Sequence, residues 1–285
     1  MPFIYLKTNN LINNAFVKTL VYANVFVAVC SLAQVYFTTR LFNLPNDFKN
    51  NSYLLFILLS TFLQYNVQRG YMINPQNNFS ERSLWLIKYK KPLLISVGLA
   101  LVCVMFLCNN LSWTSIGIMI GAEVISTLYY LPPFNLRKHG YIKPFLISMI
   151  WVVSCCVVPL IENHLLSTSS IWFILSQFLF ISVLCLLFDI KDMEHDYMSG
   201  INTYANKFGM NATKAICLTL IFISSVCFYQ FKNELKDLLP FMIVLTLTAL
   251  TVFYTTIKRN AIYYYLWVDG LLILQSVVYM TSQGG

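Results

Sequence analysis

The sequence predicts an all-α membrane protein, a bundle of nine transmembrane helices that forms a single domain over residues 1–285. Three observations lead to this fold class. Only 11% of the residues are charged and 58% are hydrophobic, whereas soluble domains average about 25% charged residues. Apolar stretches of nearly membrane-crossing length recur along the whole chain. The basic residues are concentrated in every second loop between these stretches.

Each apolar stretch is predicted to be a helix and not a strand of a barrel. A helix needs about 20 residues to cross the hydrocarbon core, and most stretches approach that length. The stretches are also unbroken, whereas strands of a membrane barrel alternate apolar and polar residues. In chain order they are 14–36, 53–73, 92–108, 111–131, 144–161, 170–188, 212–230, 238–257 and 261–280.

The distribution of basic residues predicts how the bundle is oriented. Of the nineteen lysines and arginines, one set of alternating loops holds only four, which are Arg40, Lys49, Lys232 and Lys236. Because basic loops stay in the cytoplasm, we expect a cytoplasmic amino terminus and a carboxyl terminus on the outer side. The same rule explains the net charge of +8 without a nucleic-acid partner. We expect a multi-pass protein of a bacterial inner membrane, surrounded by lipids, whose oligomeric state the sequence does not predict.

Three aspartates follow the sixth apolar stretch, at positions 189, 192 and 196. If the helix continues, this spacing places all three carboxylates on one face. Such carboxylates repel one another unless a cation lies among them, and Mg²⁺ prefers hard oxygen ligands and often bridges to a substrate phosphate. The pattern predicts a magnesium site at Asp189, Asp192 and Asp196. The alternative interpretation is a solvated acidic helix end.

The loop after the fourth apolar stretch combines prolines with basic residues. Pro132 and Pro133 end the helix, and Arg137 and Lys138 follow at the depth of the lipid headgroups. Cations in this position could clamp a diphosphate that faces the aspartates. The alternative is that they only anchor the topology.

Two acidic residues lie inside apolar stretches, Glu123 in the fourth and Asp269 in the ninth. A carboxylate at the centre of a membrane helix costs about 2.5–3.5 kcal/mol or more, so both are expected to face the bundle interior. Glu123 shares a helix face with Tyr130, which predicts a polar patch in a substrate cavity. An interhelical hydrogen bond is the structural alternative. The tyrosines at 263–265 are expected to form an interfacial aromatic belt.

Two segments resemble the UbiA-type intramembrane prenyltransferase superfamily. The run Asp189-x-x-Asp192-x-x-x-Asp196, with Gly200, Asn202, Thr203, Ala205, Lys207 and Gly209 after it, is similar to the family's second aspartate-rich motif and trailing loop. The run Tyr129-x-x-Pro132-Pro133-Phe134, with Arg137, Lys138 and Gly140, is similar to its loop between helices 4 and 5. Nine helices with a cytoplasmic amino terminus also agree with the family's architecture.

The resemblance implies an enzyme of isoprenoid metabolism. Such a protein transfers an isoprenyl group from a prenyl diphosphate to an aromatic or other lipophilic acceptor, in a central cavity open to lipid. The implied catalytic residues are Asp189, Asp192, Asp196 and Tyr129, the three aspartates also being the Mg²⁺ ligands. The implied diphosphate-binding residues are Asn66, Arg69, Arg137, Lys138 and Lys207. Glu123 and Tyr130 are expected in the cavity wall.

Helix 2 departs from the family pattern. The family has an asparagine followed by aspartates four and eight residues later, whereas alignment on Asn66 places Gly70 and Asn74 there. Arg69 could compensate by pairing with the diphosphate directly, or it could be an arginine that extends to the membrane surface. Two other functions therefore stay open. One is a terpene cyclase of the same superfamily, and the other is a non-catalytic protein that binds isoprenoids or other lipids.

Overall fold

A computed structural model describes residues 14–72 and 81–283, and within these ranges the regular structure is entirely helical. In chain order the α-helices are α1 (Ala15–Tyr22), α2 (Val25–Leu41), α3 (Phe48–Met72), α4 (Glu81–Lys88), α5 (Lys90–Cys108), α6 (Trp113–Tyr130), α7 (Lys143–Val152), α8 (Val158–Glu162), α9 (Thr168–Lys191), α10 (Met193–Met198), α11 (Tyr204–Phe231), α12 (Leu235–Tyr254) and α13 (Gly270–Gln283). Two π-helical turns, Val153–Val157 and Tyr263–Val268, lead into α8 and α13.

The all-helical prediction is confirmed for the described residues, because each of the nine apolar stretches contains helix. Five helical segments there are long and apolar enough to cross a membrane, and α1 with α2, bent by 65°, would make a sixth if the pair forms one span. The five are Lys90–Cys108, Lys143–Glu162, Thr168–Lys191, Met210–Phe231 and Leu235–Tyr254. These helices are compatible with a multi-pass membrane protein.

The remaining predicted spans fall short for visible reasons. Helix α3 contains Gln64, Gln68 and Arg69, and α6 contains Glu123, so their mean hydropathy is reduced by polar side chains. Helix α13 has only 14 residues because a π-helical turn precedes it. These segments carry the polar groups that face the interior, as described below.

Helix α9 lies in the middle of the bundle. It packs against α7 and α11, while α13 packs against α2 and α12. Buried glutamines connect three of these helices: Gln34 donates to Gln275 over 2.6 Å, and Gln275 donates to Gln177 over 3.2 Å. In contrast, only 6% of α5 is buried, although it is strongly apolar. Helix α5 therefore lies at the periphery of the bundle.

The bend between α1 and α2 is held by a polar cluster. Asn24, at the bend, has a left-handed backbone with φ of 60°. Its side chain donates to Asn66 over 3.0 Å, and Asn66 in turn donates to the Ala23 carbonyl over 3.0 Å. Arg82 of α4 donates to the Asn24 side chain over 2.5 Å. The cluster fixes α4 and the bend against α3.

The two segments that carry the sequence motifs are in direct contact. Gly140 lies so close to the backbone of Asn202 that an added Cβ would overlap it, and the same Cβ would come within 2.9 Å of the Thr203 amide nitrogen. Thr203 caps α11 reciprocally with Asn206. Gly209 has φ of 85° and interrupts α11, a conformation that glycine adopts without steric cost. Thus the loop after α6 packs on the segment that connects α10 to α11.

Candidate functional site

A cavity of about 730 Å³ lies between α2, α3, α6, α7, α9 and α13. This volume falls within the range of about 300–1,000 Å³ typical of small-molecule sites. Most of its charged lining lies at the ends of α3 and α9, at the starts of α4 and α7, and in the loop after α6. The remaining wall is mainly apolar and aromatic, and includes Ile57, Tyr65, Met119, Ile147, Trp151 and Leu184.

The aspartates do not lie on one continuous helix. Helix α9 ends at Lys191, Asp192 occupies the junction with φ of −92° and ψ of 7°, and α10 begins at Met193. The interruption brings Asp196 back towards Asp189, while Asp192 stays apart. Asp189 and Asp196 are fully buried, whereas the Asp192 side chain is 35% exposed and lines the cavity.

Lys143, the first residue of α7, connects the two buried aspartates. Its Nζ atom lies 2.7 Å from Oδ1 of Asp189 and 3.0 Å from Oδ2 of Asp196, and the lysine is itself buried. The other oxygens of both carboxylates are also buried and have no hydrogen-bond partner among the described residues, although His195 Nδ1 lies 3.8 Å from Asp196 Oδ1. A lysine ammonium thus lies at the centre of the aspartate motif.

Asp192 pairs with a different lysine. Lys191 Nζ lies 2.9 Å from Asp192 Oδ1 and 3.4 Å from the Tyr265 hydroxyl. The same ammonium lies 4.9 Å from the centre of the Tyr265 ring, and the Arg82 guanidinium lies 5.1 Å from it. Tyr265 belongs to the second π-helical turn, and its ring forms cation–π contacts with both Lys191 and Arg82.

Three arginines line the polar end of the cavity: Arg69, Arg82 and Arg137. Arg69 interacts electrostatically with both of the others, and these like charges repel. Within residues 14–72 and 81–283, neither Arg69 nor Arg82 forms an ion pair with a carboxylate. The buried Nε atom of Arg82 also has no hydrogen-bond partner there. Guanidinium groups in this arrangement are suited to an anionic ligand.

Helix α4 is attached to α1, which positions Arg82. Lys18 forms an ion pair of 2.5 Å with Glu81, and the rings of Tyr22 and Trp85 meet edge to face with centroids 6.0 Å apart. The hydrogen bond from Lys18 lowers the pKa of Glu81 from its ordinary value. Glu81 therefore stays ionised, and α4 stays tied to α1, at neutral pH.

Two pairs of polar side chains lie deeper in the cavity. Gln64 donates to Ser126 over 2.5 Å, and the Trp151 indole donates to the Tyr65 hydroxyl over 3.3 Å. Two carboxylates, Glu123 and Asp269, also line the wall. This part of the cavity offers aromatic faces and two carboxylates to a largely apolar ligand.

The structure brings together about half of the residues selected from the sequence. Those that line the cavity are Arg69, Glu123, Tyr129, Arg137, Asp189 and Asp192. Three other selected residues do not line the cavity. Asp196 forms an ion pair with Lys143, Asn66 accepts a hydrogen bond from Asn24 at the bend, and Tyr130 packs against Tyr71. Lys138 and Lys207 are exposed outside the cavity. The predicted roles of all eleven residues stay predictions.

Sequence reasoning did not select several cavity residues: Arg82, Lys143, Lys191 and Tyr265. Lys143 and Lys191 were interpreted only as basic loop residues, and Tyr265 only as part of an aromatic belt. For Lys143 the available signal was its position two residues after Tyr141, directly behind the proline and basic motif. Arg82 lies between the second and third apolar stretches, and nothing in the sequence places it near the aspartates.

The magnesium site implied by the resemblance requires the aspartates to converge on one cation. In the part of the chain that the structure describes, no three carboxylate, histidine or cysteine side chains form a group that could hold a metal ion. More specifically, Lys143 occupies the space between Asp189 and Asp196. As arranged, these residues do not fit a three-carboxylate Mg²⁺ site.

No family model, curated protein or solved structure matches this chain. Function is therefore inferred from the geometry of the cavity and from the two motif segments.

Proposed function

We propose that this protein binds a prenyl diphosphate in the cavity and transfers its isoprenyl group to an aromatic or other lipophilic acceptor. The observation that carries the proposal is the pair of guanidinium groups, Arg69 and Arg82, at the charged end of a mainly apolar cavity. The diphosphate matches these cations in charge, and the isoprenyl chain matches the apolar wall. The two motif segments, in contact through Gly140, support the same assignment.

In the proposed reaction the allylic C–O bond breaks, and its electron pair leaves with the diphosphate. Arg69, Arg82 and Arg137 stabilise the negative charge that develops on this leaving group. The rings of Tyr65 and Trp151 shield the carbocation, and the acceptor then supplies the electron pair of the new bond and loses a proton. Glu123 and Asp269, the carboxylates in the deeper wall, are placed to receive that proton.

The proposal includes an arrangement in the membrane. The nine apolar stretches span the bilayer, with the bent pair α1 and α2 as the first span. The charged end of the cavity faces the cytoplasm, where a soluble diphosphate is accessible. The apolar part opens to the lipid of a bacterial inner membrane, from which the acceptor enters.

A non-catalytic lipid-binding role is the second candidate, and a specific observation favours it. Both aspartate-rich motifs are altered: the described part of α3 after Lys49 has no carboxylate, and Lys143 lies within the second motif. A protein that keeps the head-group site but lacks a metal cluster could bind an isoprenoid diphosphate without turning it over.

The deciding experiment is incubation of the purified full chain with labelled farnesyl and geranylgeranyl diphosphate, with and without aromatic acceptors and Mg²⁺. Transfer to an acceptor supports the proposal, whereas a cyclic hydrocarbon formed without an acceptor indicates a terpene cyclase. Binding without turnover indicates the non-catalytic role. The test variants are Arg69→Ala and Arg82→Ala. The matched control is Arg40→Ala, because Arg40 lies outside the cavity and stacks on Tyr36. Absence of binding would reject both candidates.

A further inference from the structure

We infer that Lys143 takes the place of a divalent cation in the aspartate cluster, so that the site holds its diphosphate through side-chain cations and without Mg²⁺. This inference rests on the proposed function and specifies how the same site binds the head group.

The Lys143 ammonium lies between two buried aspartates. Lys143 Nζ lies 2.7 Å from Asp189 and 3.0 Å from Asp196, and all three side chains are buried. Mg²⁺ binds oxygens at about 2.0–2.1 Å in octahedral geometry and retains several waters. A metal bridging the same two oxygens would have to displace a buried ammonium and bring water with it. The lysine already places a positive charge between the two adjacent carboxylates.

Two lysines offset most of the negative charge of the three aspartates. Asp189, Asp192 and Asp196 carry three negative charges, and two ammonium groups, Lys143 and Lys191, are in ion-pair contact with them. One net negative charge remains, where three unpaired aspartates would present three. The attraction for a divalent cation is reduced accordingly.

Two guanidinium groups line the charged end of the cavity where the ligand would bind. Beside the partly neutralised aspartates lie Arg69 and Arg82, which form no ion pair with a carboxylate among the described residues. Arg69 lies three residues after Asn66 on α3, the helix on which the resemblance places the other metal-binding motif. A guanidinium contacts phosphate oxygens directly through two parallel hydrogen bonds. The charged end of the cavity is therefore complementary to a diphosphate that has no metal bound.

The first test compares the affinity of the unmodified full chain for farnesyl diphosphate in Mg²⁺ and in EDTA, by isothermal titration calorimetry. We expect the two dissociation constants to agree within about threefold, because guanidinium contacts do not depend on the metal. Weakening of about tenfold or more in EDTA, which corresponds to about 1.4 kcal/mol, would overturn the inference.

The second test uses Mn²⁺ as a spectroscopic probe of the metal site. Electron paramagnetic resonance of the free ion should show no Mn²⁺ bound to the unmodified protein. In Lys143→Met the two carboxylates lose their ammonium, and we expect a bound Mn²⁺ that Asp196→Asn removes. The control is Lys49→Met, which also deprives a buried carboxylate, Glu162, of its lysine but leaves it as a single acid. Binding of Mn²⁺ at Asp189 and Asp196 of the unmodified protein would refute the inference.

Failure of the inference can be told apart from failure of the proposed function. If farnesyl diphosphate does not bind under either condition, the proposed function fails, and the Mn²⁺ measurement on the unmodified protein still decides the role of Lys143. If Lys143→Met does not fold, the two measurements on the unmodified protein suffice.

Discussion

Lys143 and its two aspartates show how a charged group can be buried at the end of a helical bundle. Removing an ion from water costs several kcal/mol even after relaxation, and the attraction between the partners offsets this only when the contacts are short. Here one ammonium contacts two carboxylates at 2.7 and 3.0 Å. The group is therefore stable as a unit and sensitive to the loss of any member.

We predict that Asp196→Asn lowers the free energy of unfolding by about 1.5–3 kcal/mol, because it removes the buried charge-assisted contact with Lys143 while Asp189 still pairs with that lysine. Asp192→Asn should cost no more than about 1 kcal/mol, because its ion pair with Lys191 is 35% exposed on the aspartate side. Thermal unfolding of both variants in detergent provides the comparison. Equal losses in the two variants would contradict the burial difference between the two aspartates.

Arg69 gives the second prediction at this scale. A charge-assisted contact to a partly desolvated phosphate contributes about 1.5–3 kcal/mol, so Arg69→Ala should weaken binding of farnesyl diphosphate about ten- to a hundredfold. Arg69→Lys should recover only part of the affinity, because lysine keeps the charge but not the two-pronged geometry. The control is Lys207→Ala, which removes an exposed cation outside the cavity. Unchanged affinity in Arg69→Ala would exclude α3 from the diphosphate site.

The sequence was informative about individual residues where local spacing determined the outcome. The motif spacing selected Tyr129, Arg137, Asp189 and Asp192, which meet at one cavity. It did not select Lys143, because the contact joins the start of α7 to the end of α9 and depends on how two helices pack. Nor did it predict the break at Asp192, which changes the partners of all three aspartates.

At the scale of elements, the contact between the loop after α6 and the segment before α11 organises the charged end of the cavity. Gly140 permits that contact, because a side chain there would overlap the Asn202 backbone. The loop carries Arg137 and leads into Lys143, while the segment before α11 follows Asp196. The distance between the two motif segments is therefore set by the absence of a Cβ.

We predict that Gly140→Ala destabilises the protein by about 1–3 kcal/mol, the usual cost of overpacking, and that it weakens diphosphate binding because Arg137 moves with the loop. Gly117→Ala in α6 is the matched control, since an added Cβ there meets no atom within 4 Å. Melting temperature and farnesyl diphosphate affinity are measured for both variants. A Gly140→Ala protein that matched Gly117→Ala in both would show that the close approach is unimportant.

At the scale of the whole molecule, the positions of α3, α6 and α13 explain why fewer helices than the nine predicted spans are long and apolar enough to cross a membrane. Each contributes polar residues to the cavity, including Arg69, Glu123 and, just before α13, Asp269. The helices that pass the hydropathy criterion include α5, which is peripheral and almost wholly exposed. Sequence composition thus predicted the helical class, but the ring of helices around the cavity depends on long-range packing that composition does not record.

The predicted topology can be tested with reporter fusions. We expect fusions after Lys138 and Asn206 to report the cytoplasm and fusions after Asn50, Asn110 and Lys236 to report the opposite side, because only four basic residues lie on that side. Alkaline phosphatase and green fluorescent protein fusions give complementary signals. Cytoplasmic fluorescence from the fusion after Lys236 would contradict the predicted orientation.

The buried lysine also has a consequence for biogenesis. Ribosomes synthesise α7 before α9, so Lys143 reaches the membrane when neither Asp189 nor Asp196 yet exists. In the proposed membrane arrangement, we expect the ammonium to stay hydrated at the membrane surface until α9 supplies its two carboxylates. Insertion of α9 and docking of α7 are then coupled steps.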